Sequence, residues 1–376
     1  MIKQDAQLKI PSIAQLEQEL LADSTSSDME LPADTTQDAA RTLTAAAVRH
    51  DVSTFARCLI NVYGGWPFYD VFEKRKILTR LKKIYDTAEG ITAMDLFTEL
   101  GNIIADMPDE HIILQFGKKR AKTKLGHKKV NVGKNKAGDL PLRMEPQGKT
   151  LLIAVGSVAT NLIERYFQPS QTKAEAMIND SDALIVDLRG NGGGDGRPLS
   201  WLAYRLYGAH VRVARHVYIR ATPDAKIVHK NFVQYWQSIK YGEADFVEIN
   251  SARHHNPDFE HDASGYHGPV YVLIDGDTCS AAEQFCLLMR HHPYVKFVGD
   301  NTRGCEVYGN TVAVYLPNSH IGFGVGSLYR ELDLENFELN GYPPDIRVPD
   351  GRDAYDVAMQ DLAATRMNAT SKGYNK

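Results

Sequence analysis

The stretch "DGDTCSAAEQF", Asp275 to Phe285, sets a hydroxyl, Ser280, beside a thiol, Cys279, between the apolar runs "GPVYVLI" and "CLLMRHH". A strand is expected to end and a helix to begin there. Two kinds of chemistry fit. Ser280 followed three residues later by Glu283 has the form of a capping box, in which the serine oxygen accepts from a backbone N–H and the glutamate reaches back to the cap. A serine at such a turn can equally be a nucleophile, provided a base takes its proton. Cys279 sits where a helix N-terminus lowers thiol pKa, but its position favours packing.

A second element with chemical potential is "DALIVDLRGNGGGDGRP", a buried strand, Ala183 to Leu188, running into a row of glycines. A dinucleotide loop fails by spacing, since Asp195 stands at the third glycine position when Gly190 and Gly192 are the first two, and no GxxxxGK[ST] occurs in the run. What remains is a backbone with accessible N–H groups at the end of a strand, suited to a tight turn or to an oxyanion hole. The histidines His254, His255, His261 and His267 cluster in one polar stretch, but no HExxH or comparable ligand spacing supports a metal site. No metal and no cofactor are expected.

The elements that must position these residues follow from periodicity. The chain has 376 residues and the composition of a globular protein. Up to residue 108 the pattern is helical, in "RTLTAAAVRHDVSTFARCLINVY", "YDVFEKRKILTRLKKIYDTA" and "TAMDLFTELGNIIADM", with a polar linker near 22–39. From His111 onward short β-type runs alternate with helices expected at 159–167, 197–207 and 280–291, giving a mixed α/β core over 109–350 and a C-terminal helix and tail over 351–376. The net charge of −4 conceals a basic segment, Lys118 to Lys136, with nine cations and no acid, without which the chain stands at −13. It is expected to be a solvated hairpin or loop, and no aromatic residue interleaves its lysines, so no nucleic-acid partner is expected. No apolar run approaches membrane-spanning length, the first residues lack a signal-peptide core, and the four scattered cysteines do not form a disulfide scaffold. The expectation is a cytoplasmic protein without a membrane partner, possible as a homo-oligomer.

The motifs are linked. "ALIVDLRGNGGG", then "GPVYVLIDGDTCSAAEQF", "VKFVGDNTRG", "VYLPNSHIGFGVG" and "ELNGYPPDIRV" resemble, in order and spacing over Asp109 to Asp350, the C-terminal processing (tail-specific) serine peptidases with their tricorn-core and retinoid-binding relatives. The resemblance implies a crotonase-like α/β core and makes Ser280 the nucleophile. In the tail-specific branch a lysine follows in a "VGxxTxGK" stretch; here Cys305 occupies that place, so a Ser-Lys dyad is not expected and Cys305 is read as a small buried thiol. The tricorn-like branch uses a histidine ahead of the glycine-rich strand and a glutamate near the end, which here correspond to His111 of "MPDEHIIL" and Glu338 of "ELNGYPPD".

On that resemblance the chain is a serine peptidase acting on a peptide or protein through an acyl-enzyme, with Ser280 as nucleophile, His111 as base and Glu338 as orienting acid. Oxyanion donors would come from Ala281 and from Gly193, with Gly192 as the alternative. Glu110 stands before the histidine where relatives have a small residue, placing an extra carboxylate beside the base. The thirty or so residues between "HIILQF" and "LLIAV" leave no room for a PDZ module. The alternative from another class is a non-catalytic ligand- or peptide-binding protein on the same fold.

Overall fold

Three apolar runs without alternation, Thr150–Val155 (β4), Ala183–Asp187 (β5) and Val270–Ile274 (β8), are strands buried on both faces, as parallel strands inside an α/β layer must be. A computed structural model describes residues 11–30, 36–87, 89–158, 171–208, 214, 216–230, 239–249 and 265–373. The expected helix at 159–167 and His254, His255 and His261 lie outside these residues, while His267 is exposed.

The chain divides into two compact units that interleave in sequence, one of residues 1–125, 217–249 and 308–329, the other of 126–216, 250–307 and 330–376. The sequence pattern changes near 108 and 350, but the units break where the chain leaves one sheet for the other.

The second unit is built on a six-stranded sheet in the order β12-β9-β8-β5-β4-β3, adding Leu142–Gln147 (β3), Val295–Gly299 (β9) and Ile346–Arg347 (β12). β4, β5, β8, β9 and β12 run parallel, and β3 closes the edge antiparallel. Successive side chains of a strand point to opposite faces. Leu151, Ile153, Leu184, Val186, Val270 and Val272 accordingly pack with Arg197–Tyr207 (α6) and Ala281–Met289 (α8). Their neighbours Leu152, Ile185, Tyr271 and Leu273 pack on the other side against Ala354, Ala358 and Leu362 of Ala354–Gly373 (α9). Gln171–Asn179 (α5) precedes β5.

In the first unit Ile13–Leu20 (α1), Ala45–Asn61 (α2), Val71–Asp86 (α3) and Ala93–Ile104 (α4) form where the helical periodicity places them. Within the polar stretch 22–39, Ser26–Met29 makes one 3-10 turn and buries Met29. The unit's sheet has the order β2-β1-β11-β6-β7, from Ile113–Phe116 (β1), Lys119–Lys122 (β2), His216–Arg220 (β6), Phe246–Glu248 (β7) and Gly322–Glu331 (β11). Tyr308–Tyr315 (β10) also pairs with β11, and Pro223–His229 is a short helix (α7). This mixed α/β architecture with a helical N-terminal region is the fold class that the sequence implies.

Candidate active site

In an open parallel sheet, loops at the carboxyl ends of the strands form the crevice where ligands bind. Three such loops carry the second unit's chemistry: 188–196 after β5, 275–280 after β8 and 300–307 after β9.

Ser280 stands at the N-cap of α8 with φ 52° and ψ −119°. A non-glycine residue at positive φ is strained, and the strain persists only where the surroundings over-determine the conformation. Here they do. The Ser280 N–H donates to Glu283 Oε2 at 3.0 Å and lies 3.2 Å from Cys305 Sγ. The Cys279 N–H donates to the Asn191 carbonyl at 3.0 Å. Glu283 is fully buried and accepts from Thr302 Oγ1 at 2.6 Å, Gly304 N at 2.6 Å and Cys305 N at 2.9 Å as well as from Ser280 N. Burial pushes its carboxyl above the usual range, against the pull of those donors. The capping glutamate of the sequence reading is thus the hub on which two loops converge.

The glycine-rich loop is braced from below. Arg189 is completely buried, its guanidinium on Asp187 Oδ1 and Oδ2 at 2.9 and 2.7 Å and on Asp353 Oδ1 at 2.6 Å. Asp275, the first residue after β8, accepts from Gly190 N at 2.9 Å and from Asp277 N and Thr278 N at 3.0 Å each. Burial raises the Asp275 carboxyl above its usual range. Asn191 reaches across to the Val155 carbonyl at 2.9 Å. Gly193 presses on the Ser280 turn. A Cβ there would lie 2.6 Å from the Cys279 carbonyl oxygen, 2.8 Å from Ser280 Cβ and 2.9 Å from Ala281 N, and its φ is +84°. Gly193, Ser280 and Ala281 are therefore brought together, although the Gly193 N–H donates to Asn191 Oδ1 at 3.0 Å. A Cβ at Gly192 would meet no atom within 4 Å.

Glu338 sits in the same unit, half-buried, with Oε2 accepting from Val307 N at 3.1 Å. Its loop is laced to the β9 loop: Leu339 N donates to the Gly304 carbonyl at 2.8 Å and Tyr342 N to Thr302 Oγ1 at 2.7 Å. Gly304 must be glycine, because a Cβ would meet Phe337 O and Gly341 N at 2.6 Å.

The two cysteines depart from the sequence reading. Cys279 and Cys305 form a disulfide across 26 residues, so Cys305 is not a lone buried thiol and Cys279 is neither free nor merely packed. Adjacent parallel strands, β8 and β9, place their following loops side by side, a tertiary proximity that the sequence interval does not reveal. Together with Glu283 these residues could ligate a metal, but both sulfurs are engaged in the bond. The remaining cysteines, Cys58 and Cys286, are buried and free.

His111 belongs to the first unit, in a turn just before β1. Its N–H donates to Asp109 Oδ1 at 2.6 Å, and Nδ1 lies 3.6 Å from the same oxygen. Asp109 is wholly buried. Glu110 pairs with Lys122 at 2.7 Å across the β1–β2 hairpin. In the basic segment Lys122, Lys129 and Lys136 pair with Glu110, Asp277 and Asp353, and Asn135 Nδ2 donates to the Val155, Asp187 and Arg189 carbonyls. Part of the segment is therefore a packed brace rather than a solvated loop. Asp275, Asn191 and Asn135 were missed by the sequence reading. Asp275 alone had a signal there, an acid at the first position past a buried strand.

Residues 156–348, just over half of the chain, match the family model for Peptidase family S41, and the chain belongs to that family. The Nisin-resistance protein of Lactococcus lactis subsp. lactis is 26% identical over 173 residues, 46% of this chain and 49% of that protein, so the chain spans about half the length of this curated relative. A Parabacteroides merdae protein solved as a candidate peptidase superposes with a TM-score of 0.54 at 19% identity, covering 84% of this chain and 96% of that one. Mature CPAF complexed with lactacystin superposes at 0.50 with 12% identity, covering 81% and 94%. At these identities the structures establish the shared fold.

Proposed function

We propose that the protein is a serine peptidase that cleaves a peptide or protein substrate through an acyl-enzyme at Ser280. The observation that carries this reading is the left-handed backbone of Ser280, held at the N-terminus of α8 by Glu283 and crowded by Gly193. Membership of Peptidase family S41 supports it.

In the proposed reaction Ser280 Oγ attacks the scissile carbonyl while His111 takes its proton. The oxyanion faces the Ala281 N–H and a glycine-loop N–H, with Gly192 favoured over Gly193 because the latter's N–H is already donated to Asn191. His111 returns the proton to the leaving amine, and water, activated by the same imidazole, hydrolyses the ester. Glu338 stabilises the imidazolium. His111 comes from one unit and Ser280 and Glu338 from the other, so assembly of the three is part of the proposal. A cytoplasmic setting and self-association remain proposals of the same kind.

The test is hydrolysis of an unstructured protein such as casein by the full chain. Wild type should release peptides, and Ser280→Ala should release none above background while keeping its far-UV circular dichroism. Equal release by both would remove Ser280 from the chemistry.

A further inference from the structure

Ser280 is held at φ 52° by restraints that come from two directions, and one covalent bond joins them. On one arm Cys279 immediately precedes the nucleophile. On the other Cys305 is buried beneath it, with its own amide and that of Gly304 on Glu283. Two residues beyond Cys305, Val307 N holds the Glu338 carboxylate, and the Gly304 carbonyl holds Leu339 N. The bond thus fixes the distance between the nucleophile's turn and the segment that seats Glu338.

We propose that the Cys279–Cys305 disulfide is a thiol-exchange control on Ser280: closed, it positions the nucleophile turn against the Glu338 segment, and opened by a dithiol reductant, it lowers turnover. This rests on Ser280 being the nucleophile.

The exchange balances. A thiolate of the dithiol attacks the half-buried Cys279 sulfur, the S–S bond breaks, and Cys305 leaves and takes a proton. The second thiol of the reductant then displaces Cys279 from the mixed disulfide. Two electrons and two protons pass to the protein, and the reductant becomes a cyclic disulfide. Cys305 Sγ lies 3.1 Å from Glu283 Oε2, so the thiol formed there donates to the oxygen that now accepts from Ser280 N. The nucleophile's amide acquires a competitor just as its covalent restraint is lost. Cys58 and Cys286 do not stand in for either partner. Both are fully buried, and burial pushes each thiol far above its usual range, which suppresses the thiolate that exchange requires.

The experiment compares the full chain before and after incubation with dithiothreitol, measuring kcat and KM on a peptide substrate, thiols by alkylation and mass spectrometry, and fold by far-UV circular dichroism. Alkylation at Cys279 and Cys305 should accompany a fall in kcat of about 10- to 100-fold, the penalty of a small misplacement of a reacting group. KM should change by less than about twofold, the dichroism should be unchanged, and oxidised glutathione should restore kcat. Cys279→Ser/Cys305→Ser should have the low kcat and ignore dithiothreitol, whereas Cys58→Ala/Cys286→Ala should respond as wild type does. Release of both thiols with unchanged kcat overturns the proposal, and so does purified, air-exposed protein that is fully active with both cysteines already free. Loss of kcat together with the dichroism would reduce the bond to a structural brace and also overturn it. In each of these cases an inactive Ser280→Ala would leave the nucleophile assignment standing; an active Ser280→Ala would defeat the nucleophile assignment itself.

Discussion

Two helix starts, those of α4 and α8, are nearly alike in sequence and unlike in structure. Thr92 with Asp95 and Ser280 with Glu283 both place a hydroxyl three residues before an acid. Thr92 has φ −80° and ψ 162°, and its side chain accepts from the Asp95 N–H at 3.1 Å, an ordinary cap. Ser12, Thr44, Asp70 and Thr222 adopt the same extended conformation. Ser280 alone among these turns into the left-handed region, and its acid partner is buried among donors from a neighbouring loop instead of facing solvent. Helix initiation requires only the first arrangement. Backbone strain at a hydroxyl, maintained by a buried carboxylate, a glycine and a disulfide, is what a positioned nucleophile requires.

Removing the two hydroxyls should separate the roles most widely. Ser280→Ala should lower peptide turnover by about four orders of magnitude or more with little change in melting temperature, whereas Thr92→Ala should cost about 1 kcal/mol of stability and leave kcat untouched. Turnover and urea denaturation on both variants make the comparison.

Next in size are the groups assigned to Ser280. His111→Ala should remove most of the rate, because His111 is the group proposed to take the Ser280 proton. Glu338→Gln should slow turnover by about 10²- to 10⁴-fold, because an amide orients imidazole but stabilises imidazolium poorly. The two losses should not add, which turnover measured on the single and double variants would show.

Glu283→Gln sharpens the contrast with Asp95. The amide keeps the shape but turns an NH2 toward donors that need an acceptor, so kcat should fall about tenfold and stability by about 1–3 kcal/mol. Asp95→Asn, at the ordinary cap, should cost a few tenths of a kcal/mol and no activity.

An effect on stability alone concerns the brace below the glycine loop. Burial opposes the charge of Asp353, but Lys136, the Tyr355 amide and Arg189 outweigh it and hold the carboxyl below its usual range. Its contribution to stability is therefore complete above the unfolded value near 3.8 and is lost as pH falls through the lower folded value. Asp353→Asn should cost about 1 kcal/mol at neutral pH and flatten this part of the acid limb in a melting-temperature series.

The strands buried on both faces were legible because parallel sheets need continuous apolar runs, and the Ser280 turn and glycine loop were legible because each directly follows such a run. The segment 308–331 shows where periodicity stops: alternation in "TVAVY" announces a strand but not that the chain has left the β9 sheet for the other unit. The disulfide, Asn135 and Asn191 were invisible for a related reason, since each acts across loops that meet only once the sheet order is known. Glu283 was seen, but with the smaller of its two roles.

The central claim is that the strained turn makes Ser280 an activated nucleophile while the ordinary caps stay inert. A fluorophosphonate probe tests it directly, because it phosphonylates an activated serine without requiring knowledge of the substrate. Incubation of the full chain followed by peptide mapping should place the adduct on Ser280 alone, with none on Ser12 and much slower labelling in His111→Ala. An unlabelled Ser280 in folded protein, or labelling as rapid in His111→Ala as in wild type, would contradict the account.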